Sequence, residues 1–210
     1  MLSLLDGLLR LTYWGRHRRD SALGWFDAAA EGTVPSLLTA ATMATIGVVC
    51  LRRHAEPRRW WRITGALFTW LAVDDVLMLH ERFGALLQPW LGGRGVYVWV
   101  FTLAPLFAIL ALLCVRRLWP LLGQHPGRRG RLLLGFAALG VAIGFEVFED
   151  LAGRSSVQLR GVPILAWTQW CEETLELVGP VLLLAALWPT APAAAQLLPR
   201  TVVRFVGAGR

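Results

Sequence analysis

Residues 63–82 read ITGALFTWLAVDDVLMLHER. The first eleven positions are almost wholly apolar, and the run is long enough to cross a bilayer, for which about 17 to 25 helical residues are needed. Yet its last nine positions carry Asp74, Asp75, His80, Glu81 and Arg82. At the centre of a span an ionised side chain costs roughly 2.5 to 3.5 kcal/mol. The stretch therefore reads as a membrane helix whose final turns sit among partners that compensate its charges.

The same texture repeats along the chain. Of 210 residues, 56% are hydrophobic and 17% charged, and the apolar residues gather into runs at 34–51, 63–82, 96–115, 132–152 and 163–187. The expected fold is all-α: a polytopic transmembrane bundle of about five spans, forming one integral membrane domain over 1–210. In the opening MLSLLDGLLRLTYW, Leu4, Leu5, Leu8, Leu9 and Leu11 recur at helical spacing with Asp6 and Arg10 between them, as in an amphipathic helix lying on a membrane surface. Neither an internal repeat nor a soluble domain is visible, and Gly140 and Gly144 form a small-residue pair suited to helix packing.

All 21 basic residues other than histidine are arginine. The absence of lysine excludes a retinal or pyridoxal Schiff base and a Walker-type phosphate lysine. The net charge of +7 is concentrated between the spans, which points to membrane lipid headgroups as partners and away from nucleic acid. RRHAEPRRWWR and RRLWPLLGQHPGRRGR carry five arginines each, whereas the other two connections carry two each, counting the helix ends beside them. By the positive-inside rule the two richer connections face the cytoplasm of an inner (plasma) membrane protein, with the N-terminus outside and the C-terminus inside. Cys50, Cys114 and Cys171 stand in separate apolar runs, without the spacing of a disulfide framework or a zinc knuckle.

Nine of the fourteen acids fall in three spans: Asp74, Asp75 and Glu81; Glu146, Glu149 and Asp150; Glu172, Glu173 and Glu176. With alternating direction, all three sets come to similar depth, in the outer half or near the midplane. Helical spacing places Asp74 and Glu81 on one stripe, groups Glu146 with Glu149 and Asp150, and sets Glu172 and Glu173 on the faces of Glu176. Pro180 removes the donor that would meet the carbonyl of Glu176. The summed burial penalty, on the order of 10 to 20 kcal/mol, rivals the stability of a whole domain. With only Arg82, Arg94, Arg154 and Arg160 near these acids, a further neutralising agent is required.

Carboxylates with one imidazole suit a divalent metal ion such as Mg²⁺, Ca²⁺, Mn²⁺ or Fe²⁺. The expected ligands are Asp74, Asp75, His80, Glu81, Glu146, Glu149, Asp150, Glu172, Glu173 and Glu176. The expected function is divalent-cation binding or transport. A metal-dependent membrane enzyme acting on a lipid or small amphiphile, with Glu172, Glu173 or His80 as general base, is the alternative. A proton-coupled or assembly subunit is the third reading. The inner halves of the acidic spans look too apolar for a polar path through a monomer, which favours a closed site or a pore formed by a homo-oligomer.

The EETLEL sequence at 172–177 resembles the Glu-Glu-x-x-x-Arg motif of intramembrane CAAX-processing proteases, but Leu177 takes the place of the arginine and that family's further membrane histidines are missing. The Asp-Asp and Leu-His-Glu pattern of the second span, with the Glu-Glu pair of the last, is more similar to a group of uncharacterised polytopic bacterial membrane proteins. That likeness runs from the second span to the fifth and implies no activity.

Overall fold

Val34–Leu51 contains no charged residue in eighteen positions and forms the first helix, α1. Arg58–Leu77 (α2), Leu79–Leu91 (α3), Val98–Leu122 (α4), Arg128–Ala152 (α5) and Ile164–Leu187 (α6) come after it. Between α5 and α6 a small antiparallel hairpin pairs β1 (Gln158–Leu159) with β2 (Val162–Pro163), Gln158 opposite Pro163 and Leu159 opposite Val162. This structure, a computed structural model, describes residues 34–53, 58–91, 98–123, 127–152, 158–159 and 162–188. The amphipathic helix expected in the opening residues lies outside them.

The all-helical expectation holds apart from that hairpin. Among the described residues, three segments are long and apolar enough to cross a membrane: Val34–Leu51, Val100–Leu122 and Arg128–Phe148. The acidic helices α2 and α6 have 20 and 24 residues, about 30 and 36 Å at 1.5 Å per residue. The third run extends further than expected, through Arg116, Arg117 and Pro120 to Leu122.

The second run departs from expectation. Instead of one helix over 63–82, α2 ends at Leu77, Met78 takes a left-handed backbone with φ of 51°, and α3 begins at Leu79. The Arg82 amide donates to the Met78 carbonyl at 3.0 Å, so Met78 both ends α2 and caps α3. Asp74 and Glu81 are consequently on different helices, and the single stripe expected for them does not exist.

Two helix pairs are the most closely packed part of the bundle. A Cβ added to Gly65 would lie 2.9 Å from both the Gly47 carbonyl oxygen and the Leu51 amide nitrogen, so α1 and α2 approach almost backbone to backbone. Gly135 does the same for α5 and α6, its added Cβ falling 2.9 Å from the Gly179 carbonyl oxygen. Gly140 and Gly144, the pair expected to serve packing, have open space beside them. The contact runs through Gly135 and Gly179 because those two face each other across the α5–α6 seam.

Packing of α1 against α6 joins the two pairs, whereas α4 touches α2 and α5 only sparsely. One end of the bundle is sealed by Ile46, Cys50, Trp61, Phe68, Leu118, Leu122, Leu132, Leu183 and Leu187. Arginines cover this end. Arg53 lies 4.1 Å over the Trp61 ring and donates to the Leu187 carbonyl at 3.4 Å; Arg129 lies 5.0 Å over Trp119 and donates to its carbonyl at 3.1 Å; Arg117 lies 5.4 Å over Trp60. Burial, and then the neighbouring Arg128, pull the Arg53 guanidinium below its ordinary pKa. Arginines from both arginine-rich connections, Arg53 from one and Arg117 and Arg129 from the other, therefore meet at the same end.

Candidate functional site

Because α4 stands away from the tight pairs, a cavity of about 710 Å³ remains between it and α2, α5 and α6. Each helix contributes one stripe at the spacing that a helical face dictates. From α2 come Leu67, Phe68, Leu71, Asp74 and Asp75; from α6, Gln169, Glu172, Glu173 and Glu176. α5 adds Leu133, Phe136, Ala137, Leu139, Gly140, Ile143 and Glu146, and α4 adds Ala104, Phe107, Ala108, Ala111, Leu112 and Val115. Thr39 and Met43 of α1 and His80 of α3 complete the wall.

Seven of the ten residues expected as metal ligands line this one cavity: Asp74, Asp75, His80, Glu146, Glu172, Glu173 and Glu176. All seven are half-buried. The side chains of the other three, Glu81, Glu149 and Asp150, lie outside the described residues. Three helices therefore bring carboxylates to one space. Among the described residues, however, no group of three or more His, Cys, Asp or Glu side chains is gathered closely enough to hold a metal ion.

Asp74 and His80 are directly paired. One carboxylate oxygen accepts the His80 backbone amide at 2.9 Å, and the other meets His80 Nδ1 at 2.9 Å. The two side chains are 14% and 20% exposed. On a continuous helix, residues six apart point about 120° away from each other. The break at Met78 is what allows them to meet. Met78 has no side-chain acceptor for the first amides of α3, so Asp74 supplies it from the preceding helix.

In α6, Thr174 donates to the Trp170 carbonyl at 2.8 Å, Thr168 is buried, and Trp167 packs edge-on to Trp170 with centroids 6.4 Å apart. Pro180 is fully buried inside the same helix. Cys171 is a free thiol, and its side chain is not part of the cavity wall. Sequence reasoning missed the helix break, the capping role of Asp74 and the α4 wall. The α4 stripe is visible in retrospect as Ala104, Phe107, Ala108, Ala111, Leu112 and Val115, at i, i+3, i+4, i+7, i+8 and i+11. With no ionisable residue in it, this stripe looks like any lipid-facing surface.

Residues 3–189 match the family described as Domain of unknown function (DUF8692), and the chain belongs to that family. No curated protein and no solved structure matches the chain.

Proposed function

We propose that this chain is a multi-pass membrane protein of five spans, α1, α2, α4, α5 and α6, forming one membrane domain that binds a cation in its acid-lined cavity. The observation carrying this reading is that six carboxylates, from α2, α5 and α6, share that cavity. In a low-dielectric setting such groups disfavour one another's ionisation, and a cation among them offsets the repulsion. The sealed core toward the arginine-covered end supports a binding site entered from the other end or from the side, over a path through the monomer. By the positive-inside rule that arginine end faces the cytoplasm of the inner membrane, where tryptophan-backed guanidiniums suit anionic headgroups.

A divalent metal is one cation the site would take. Metal–oxygen distances of about 2.0 to 2.6 Å would require at least three of Asp74, Asp75, His80, Glu146, Glu172, Glu173 and Glu176 to converge on binding. The test uses purified protein in nanodiscs, melted with Mg²⁺, Ca²⁺, Mn²⁺ or Fe²⁺ and with alkylamines. At least one cation should raise the melting temperature, by the linkage that any ligand of the native state produces, and Glu173→Gln should reduce that rise. If every cation in the set leaves the melt unchanged, the reading fails.

A further inference from the structure

The shape of the cavity says more about its occupant than the charge alone. A divalent ion with six waters, at about 30 Å³ for each water, occupies on the order of 200 Å³. The cavity holds about 710 Å³, and sixteen of the twenty-five residues around it are apolar. That is the volume and lining of a site for a small organic molecule.

Polarity is also separated lengthwise. Along α2, Leu67, Phe68 and Leu71 lead to Asp74 and Asp75; along α5, Leu133 and Phe136 precede Glu146 by 13 and 10 residues, about 20 and 15 Å of helix. On both helices the apolar stretch points to the arginine end and the carboxylates lie away from it. A side opening is present as well. Leu112 of α4 and Leu133 of α5 line the cavity, yet they are 67% and 49% exposed. In a membrane this opening faces lipid.

Resting on the reading that the carboxylates hold a cation, we infer that the occupant is a cationic amphiphile: an organic amine with a hydrocarbon tail, its ammonium among the acids of α2, α5 and α6 and its tail between α4 and α5. Charge complementarity selects this occupant. An anionic headgroup would be repelled by six carboxylates, and an uncharged chain would gain nothing from their charge.

The experiment measures binding to the full chain in zwitterionic-lipid nanodiscs, with butylamine, dodecylamine, dodecanol, dodecanoate and Mn²⁺ as probes. Dodecylamine should bind at least tenfold more tightly than butylamine, dodecanol or dodecanoate. Gly140→Leu and Ala111→Phe each narrow the apolar part without altering a carboxylate. They should weaken dodecylamine at least tenfold while butylamine binding stays unchanged, and either one serves if the other fails to fold. Glu173→Gln should weaken both amines. Binding of Mn²⁺ or butylamine with dodecylamine no tighter than dodecanol would overturn the amphiphile and leave the cation reading standing. Equal binding of dodecylamine, dodecanol and dodecanoate would overturn charge selection, and with it the amphiphile. Binding of no cation at all would overturn both.

Discussion

Met78 is the residue at which the sequence misleads most. Nothing in VDDVLMLHER marks a break, for the stretch has neither glycine nor proline, and a left-handed methionine costs roughly 1 to 2 kcal/mol against a helical one. The first turn of α3 maintains the break: Met78 caps that helix through its carbonyl, and Asp74 reaches across to the His80 amide and ring. Met78→Gly should therefore stabilise the protein by about 0.5 to 1 kcal/mol, since glycine adopts this φ without penalty. Leu77→Gly, one position earlier and inside the helix, should destabilise it by about 1 kcal/mol. Denaturant melts of the two variants in detergent would separate them, and a loss for both would refute the strain argument. Asp74→Ala should cost about 0.5 to 2 kcal/mol, the usual range for a lost cap, and Asp74→Asn should recover part of this by keeping the acceptor for the His80 amide. Equal losses in the same melts would assign the effect to charge instead of capping. Helical spacing was enough to find the acids; it could not show that Asp74 is already occupied, because its pairing with His80 depends on a turn with no sequence signature.

The helices show where glycine matters. Gly65 and Gly135 lie under backbone atoms of the facing helix, whereas Gly140 borders the cavity with nothing beside it. Gly65→Ala and Gly135→Ala must push the paired helices apart and should each cost about 1 to 3 kcal/mol. Gly140→Ala should be neutral or gain up to about 1 kcal/mol from helix propensity. Thermal melts of the three variants provide the check, and a loss at Gly140 comparable with that at Gly65 would contradict the packing described. The positions of most helices were legible because long apolar runs have few alternatives in lipid, and the observed bounds of α1 coincide with the expected run. The glycine seams were not. A small-residue pair four apart says that close approach is possible, but the choice of partner face depends on which stripe the neighbouring helix turns toward it.

At the scale of the molecule, the cavity shared by α2, α5 and α6 predicts coupling between distant positions in the sequence. Asp75→Asn and Glu172→Gln lie on α2 and α6, and in the absence of added cation each should relieve repulsion; the double variant should then gain less than the sum, by at least about 0.5 kcal/mol. Additive changes in denaturant melts would mean that the two acids do not share one electrostatic site. Orientation can be tested independently. A cysteine at Ser156 should react with a membrane-impermeant label on intact cells and one at Gln124 should not, and the opposite pattern would place the arginine end outside. The grouping of the acids on three helices was legible in the sequence, but the open volume beside them was not, because it results from the weak packing of α4. That weak packing also divides the bundle into parts of unequal persistence. α1, α2, α5 and α6 are fastened by close seams, and Leu118 and Leu122 tie the last turns of α4 into their common core, while the earlier turns of α4 border the cavity along one face, with Phe101, Ile109 and Leu112 largely exposed. The backbone amides of those earlier turns should exchange with deuterium well before those of the α5–α6 pair, by a local opening that leaves the core end of α4 and the remaining helices protected. A ligand that fills the space behind those turns would then extend the core along α4, and slowed exchange confined to them would report occupancy without any knowledge of the ligand's identity.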